Sequence, residues 1–182
     1  MTRQFYMDTN VFISSLKSDD PYHIESKAIA RRLEGGEIQA ETSVLTLVET
    51  ASVASRLHQT AEHVKVQGKD RRRIFIIKTI LKLVDLKIRF INIAGDTPIA
   101  VKKIQANLPI IFNDAIIMSL HTPLRTFDLM HLAAARHGKQ MNPELGALVT
   151  GDAEFLSRKQ ELAKIIKMPV MSPQEYVETL GK

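Results

Sequence analysis

Four acids stand at positions where a carboxylate can do more than solvate a surface: Asp8, Glu49, Asp128 and Asp152. Asp8 directly follows a short apolar stretch, Phe5 to Met7, and Asp152 comes two residues after another, Ala147 to Thr150. Glu49 lies in a helical pattern with Thr46, Ser52 and Arg56 at i−3, i+3 and i+7. Asp128 opens the segment DLMHLAAA. Brought into one pocket, four carboxylates repel one another unless a cation neutralises them. An all-oxygen ligand set suits Mg²⁺ or Mn²⁺, hard ions that also bind phosphates.

Each acid taken alone has an ordinary structural explanation. Asp8, Thr9 and Asn10 are turn and cap residue types, an Asp in a first helical turn suits the helix dipole, and Gly151-Asp152 makes a turn. A second segment, NDAIIMSLH, offers Asp114 with a similar start and competes with Asp128. Glu41 and Glu154 are further outer-ligand candidates. His58, His63, His131 and His137 lack an i, i+4 pairing and are expected on the surface or in packing rather than as ligands.

The elements that must position these acids alternate in type. Strands are expected over Gln4 to Met7, Glu37 to Glu41, Leu86 to Ile93, Ala147 to Thr150 and Met168 to Met171. Helices are expected from about Pro21 to Leu33, closed by Gly35-Gly36, and from Val44 to about Leu57 after a Thr42-Ser43 cap. Others should cover Asp70 to Leu86, about 97 to 106, 114 to 121, Phe127 to His137 ending at Gly138, Ala153 to Lys164, and a last one opened by Ser172-Pro173. In the helix from Asp70, the Ile74, Ile77, Leu81, Val84 stripe is expected to face inward. Helices interleaved with short apolar strands imply an α/β three-layer sandwich around a central, mainly parallel sheet, built as one domain over 1–182. Ligands of such sheets bind beyond the carboxyl ends of the strands, where Asp8 and Asp152 fall.

The 182 residues include no cysteine, which excludes disulfides and cysteine-ligated zinc. No G-x-x-x-x-G-K-[ST] loop or H-E-x-x-H pair is present, so neither a nucleoside-triphosphatase nor a zinc protease is supported. A phosphatase of the haloacid-dehalogenase kind needs an acid where Asn10 stands. Apolar runs are short and no leader pattern opens the chain, so a cytoplasmic protein without membrane spans is expected. The net charge of +5 is localised. Residues 61–90 carry nine Lys/Arg against three acids, and the remainder 16 against 17. That stretch, with Arg71, Arg72 and Arg73 at its centre, is either a solvated helix face or a surface that attracts a phosphate backbone.

The segments MDTNVF, TSVLTLVET, FDLMHLAAARHG and LVTGDAEF, in this order over residues 7–155, resemble the PIN-domain ribonucleases, and among them the small VapC-like toxins of prokaryotic toxin–antitoxin pairs. The resemblance implies a metal-dependent endoribonuclease with Asp8, Glu49, Asp128 and Asp152 as its Mg²⁺ or Mn²⁺ carboxylates and products ending in 5′-phosphate and 3′-hydroxyl. It places Thr9, Asn10, Ser43 and Thr150 as hydrogen-bonding support. It also implies an RNA substrate, a small antitoxin partner and a homodimer. The stretch between Asp128 and Asp152 is long for the family, and the basic region is larger than a minimal toxin needs. A housekeeping RNA-processing nuclease and a non-catalytic RNA-binding scaffold are the competing expectations.

Overall fold

The computed structural model describes residues 4–60, 69–91, 96–101 and 104–181, with side chains at 58–60, 69–71, 96–101 and 104–107 outside the description. His63 and the side chains of His58 and Arg71 therefore lie outside the described residues. Strand β1 (Gln4–Met7) leads into α1 (Thr9–Leu16) and α2 (His23–Glu34), which Gly35 and the left-handed Gly36 (φ 72°) end. β2 (Gln39–Thr42), α3 (Leu45–Thr60), α4 (Lys69–Asp85) and β3 (Arg89–Phe90) follow. A hairpin of β4 (Asp96–Val101) and β5 (Ile104–Pro109) precedes α5 (Ile110–Ser119) and α6 (Thr126–Met141). The chain closes with β6 (Leu148–Val149), α7 (Ala153–Ser157), α8 (Lys159–Ile166), β7 (Val170–Met171) and α9 (Pro173–Leu180).

Five of these strands form a parallel sheet in the order β3-β2-β1-β6-β7. Side-chain alternation along β1 assigns its two faces. Tyr6 joins Leu132, Ala133, Leu148 and Leu162 beneath α5, α6 and α8, whereas Phe5 and Met7 join Phe12, Ile29, Val149 and Tyr176 beneath α1, α2 and α9. This is the expected three-layer α/β sandwich. The chain runs outward from β1 to β2 and β3 on one side and returns through β6 and β7 on the other. The crevice between the carboxyl ends of β1 and β6 is thus the switch point at which such sheets bind ligands.

Four expectations need correction. Of the range 97–106, residues 97–101 lie in β4 and 104–106 in β5 rather than in a helix, and β-branched Thr97, Ile99 and Val101 alternate along the first of these strands. The helix expected to stop at Gly138 runs on to Met141. Gly138 lies inside it because a Cβ there would come 2.6 Å from Ile91 Cδ1, so the missing side chain lets α6 lie close to the β2–β3 edge. The helix expected over Ala153 to Lys164 breaks at Arg158 into α7 and α8. In α4 a competing stripe, with Thr79, Leu83 and then Leu86, turns inward, and Ile74, Ile77, Leu81 and Val84 are exposed.

Candidate active site

Asp8 ends β1 and is the N-cap of α1: its Oδ1 accepts from the Thr9 backbone N–H at 2.6 Å. The capping geometry turns the other oxygen, Oδ2, toward β6, where the Thr150 hydroxyl donates to it at 2.7 Å. Asn10 completes a clamp across the two strand ends. Its Nδ2 donates to Asp8 Oδ2 at 2.8 Å and to Thr150 Oγ1 at 3.1 Å, while its Oδ1 accepts from Gly151 N at 2.7 Å. Asp152 is likewise the N-cap of α7, but accepts from N–H groups further along, those of Glu154 and Phe155 at 2.7 and 3.2 Å. Two strand-end aspartates are thus fixed by the short helices they start.

Glu49 reaches the same crevice from α3, whose start is pinned by Ser43: its hydroxyl accepts from Leu45 N at 3.2 Å. The Thr9 hydroxyl donates to Glu49 Oε2. His131 Nε2 lies 2.7 Å from the same oxygen, and its Nδ1 lies 2.8 Å from the Tyr6 hydroxyl. Asp8, Glu49 and His131 each offer a ligand atom, all within 4.8 Å of one another, so this trio could hold a metal ion. His131 is therefore a site residue and not mere packing, contrary to the sequence expectation. It sits three residues after Asp128, so the two share one face of α6, and that i, i+3 spacing was the available signal. Thr46 was also missed. It is fully buried and connects the Thr9 and Thr42 hydroxyls at 3.2 and 2.7 Å, hidden in the sequence by an otherwise apolar helical pattern.

Asp8, Glu49, Asp128 and Asp152 line one cavity of about 430 Å³. Their charges act on one another. Burial, and then the carboxylates of Asp152, Asp8, Glu154 and Glu49, push the Asp128 carboxyl up to about 6. Burial also raises Asp8, against the stabilising effects of His131 and Thr150. For His131 burial works downward, but the hydrogen bond to Glu49 and the charges of Asp8, Glu49 and Asp128 outweigh it, and its pKa is raised. Burial works upward on Glu49, yet the bond and charge of His131 hold it below the usual carboxylate range. A pocket in which Asp8 and Asp128 are both raised, the latter in part by its neighbouring carboxylates, is matched to a cation.

Other candidates fall elsewhere. Asp114 lies in the middle of α5 and lines neither this cavity nor the adjoining one. Glu41 lines a separate cavity with Gln4, Lys87 and Arg89, its Oε1 paired to Arg89 and accepting from Asn142 at 2.6 Å. It is not an outer ligand, because on β2 its side chain turns under α6 instead of toward the strand ends. Glu154 borders the acids in the adjoining cavity. Arg72 and Arg73 are exposed on α4 outside the cavity lining, and Arg72 Nε donates to Ser55 Oγ at 3.1 Å. His137 Nδ1 is buried without a hydrogen-bond partner among the described residues.

No curated protein matches the chain. The family model described as the PIN domain matches residues 5–161, a span that begins at β1 and runs past Asp152. With the parallel sheet, the switch-point crevice and the four converging acids, this match places the chain in the PIN-domain family of nucleases.

Proposed function

We propose that this protein is an endoribonuclease that hydrolyses RNA phosphodiester bonds with Mg²⁺ or Mn²⁺ held by Asp8, Asp128, Asp152 and Glu49. The observation that carries the proposal is the convergence of these carboxylates in one cavity at the β1–β6 switch point. The donor set fits the ion: all four offer oxygen, and burial together with the neighbouring carboxylates raises the Asp128 carboxyl. Bound there, the ion supplies charge neutralisation on the phosphoryl oxygens and an activated water.

The chain's own residues do the positioning. Asn10 and Thr150 hold Asp8 against β6, and the backbone of α7 fixes Asp152. Thr9 and His131 direct one oxygen of Glu49 inward. His131 Nε2, 2.7 Å from Glu49 Oε2, orients that carboxylate at the edge of the site. Tyr6, kept neutral chiefly by burial, fixes the far side of that ring.

The resemblance to VapC-like proteins supports a toxin role, with a small antitoxin partner and a homodimeric assembly. The basic segment with Arg71, Arg72 and Arg73 would carry RNA backbone leading to the acids. No described helix is long and apolar enough to cross a membrane. Purified protein should cleave RNA with Mg²⁺ or Mn²⁺, stop on chelation, and lose activity in Asp8→Asn and in Asp152→Asn. Full cleavage by both folded variants would overturn the assignment. Growth arrest on expression, relieved by a gene adjacent to this one, tests the toxin role.

A further inference from the structure

The acids lie where two cavities meet. One, of about 430 Å³, extends toward α3, and the other, of about 590 Å³, extends along the starts of α6 and α7. Both are lined by Glu49, Phe127, Asp128 and Asp152. A strand whose phosphate rests on the acids therefore has space on each side.

The two sides differ in chemistry. Beside the shared Phe127, the smaller cavity carries the aliphatic chains of Ile13, Val48 and Val53, with Ser52 and Arg56 as its polar groups on the α3 side. The larger carries Arg125, Thr126 and Glu154 and no aliphatic chain beyond Ala153. Phe127 is the unusual residue. The residue is 49% exposed beside Asp128, whereas Leu129 and Met130, which follow in the same helix, are buried. Val48, 60% exposed, lines the same space. A cation site alone has no use for an exposed phenyl and an exposed valine. A planar heterocycle does, because any base can stack on an aromatic face.

We propose that the smaller cavity is a nucleobase pocket. Resting on the ribonuclease reading above, it takes the base beside the scissile phosphate, with Phe127 as the stacking face. Val48 and Val53 supply apolar contact. Arg56, which donates to Ser52 at 2.9 Å, stands at the polar edge of the base. Arg125, whose side chain makes no hydrogen bond or ion pair among the described residues, meets backbone phosphate on the other side of the acids. A base can enter only if it has left its own stack, so the substrate segment is single-stranded or splayed.

The test is cleavage of a short unstructured RNA with Mn²⁺, compared with versions in which each nucleotide in turn is abasic. For the wild type, one abasic position flanking the cut should lower kcat/KM about tenfold or more. In Phe127→Ala that penalty should disappear, and Phe127→Trp should restore it. Phe127→Leu, which keeps apolar volume without an aromatic face, should behave as Phe127→Ala and replaces it if the smaller variant does not fold. Equal penalties in the wild type and the Ala or Leu variant, or no penalty at any position in the wild type, overturn the pocket and leave the nuclease standing. No cleavage of any RNA by the wild type overturns the nuclease and the pocket together.

Discussion

His131 Nε2 lies 2.7 Å from Glu49 Oε2, which makes the most exposed ligand candidate of the trio depend on a ring that is almost wholly buried. The other ring nitrogen lies 2.8 Å from the Tyr6 hydroxyl, on the sheet face beneath α6. The imidazole is thus oriented from both sides, and Glu49 is oriented by it. Outer partners of this kind tune metal affinity by about 10- to 100-fold.

His131→Gln should therefore weaken Mn²⁺ binding by about that factor while the fold remains, and Tyr6→Phe should do the same more mildly. Calorimetric titration with Mn²⁺, alongside circular dichroism, measures both. Unchanged affinity in His131→Gln would show that Glu49 does not rely on the histidine.

Asp128 gives the site a pH signature. Its folded pKa of about 6 lies above the ordinary 3.8, so the folded state holds a proton that the unfolded chain releases. Between about pH 4 and pH 6 the metal-free protein should lose stability as pH rises, and the loss should persist above that window. Asp128→Asn should be more stable than the wild type at pH 7.5 by about 1 kcal/mol, after discounting for the partial exposure of the group. The advantage should vanish at pH 4 and on adding Mn²⁺. Denaturant unfolding at the two pH values decides the matter, and an advantage equal at both would detach Asp128 from the acid cluster.

The exposed side of α4 bears on assembly. Ile74, Ile77, Leu81 and Val84 repeat at the three-four spacing of a helix seam, yet all four face solvent. If the homodimer forms through this face, Leu81→Glu should convert it to a monomer in sedimentation equilibrium without changing the circular dichroism spectrum. A wild type that stays monomeric at high micromolar concentration would rule the face out as a self-interface.

The same helix shows where sequence periodicity stops being informative. It has two apolar stripes, and spacing alone cannot say which one meets the sheet; α4 packs against α3, and Leu83 and Leu86 join Phe5 and Met7 in the core. Asp8 and Asp152 were legible for the opposite reason. Each directly follows or closely trails a short apolar strand, so chain position alone fixes which end of the sheet it occupies. His131 and Thr46 were not, because their roles depend on contacts with Tyr6, Thr9 and Thr42, which are far away in the chain or masked by apolar neighbours. Residues 97–106 were misassigned because a few β-branched residues within a short apolar run satisfy either period.

The basic segment makes a separate prediction about binding. Replacing Arg71, Arg72 and Arg73 with Gln should weaken RNA binding and lower the steepness of its salt dependence, since fewer counterions are displaced. Filter binding across a salt series with the non-cleaving Asp8→Asn background measures both. An unchanged slope would return these arginines to a solvated face.

Asn10 offers the sharpest test of how Asp8 is held. Its amide donates to Asp8 Oδ2 at 2.8 Å, and its carbonyl oxygen accepts from Gly151 N at 2.7 Å, so both halves of the carboxamide are used. Asn10→Asp preserves the shape and the acceptor but exchanges the donor for a second negative oxygen. Two carboxylates at that separation resist ionising together, so one should hold a proton well above its usual range. The variant should then melt close to the wild type at pH 4 and clearly below it at pH 8, with Mn²⁺ restoring part of the difference. Asn10→Ala removes the bond without adding charge. It should cost about 1–3 kcal/mol by leaving the buried Asp8 one donor short, with much weaker pH dependence. If both variants lose the same stability at both pH values, the Asp8–Asn10 contact is a packing contact and not an electrostatic clamp.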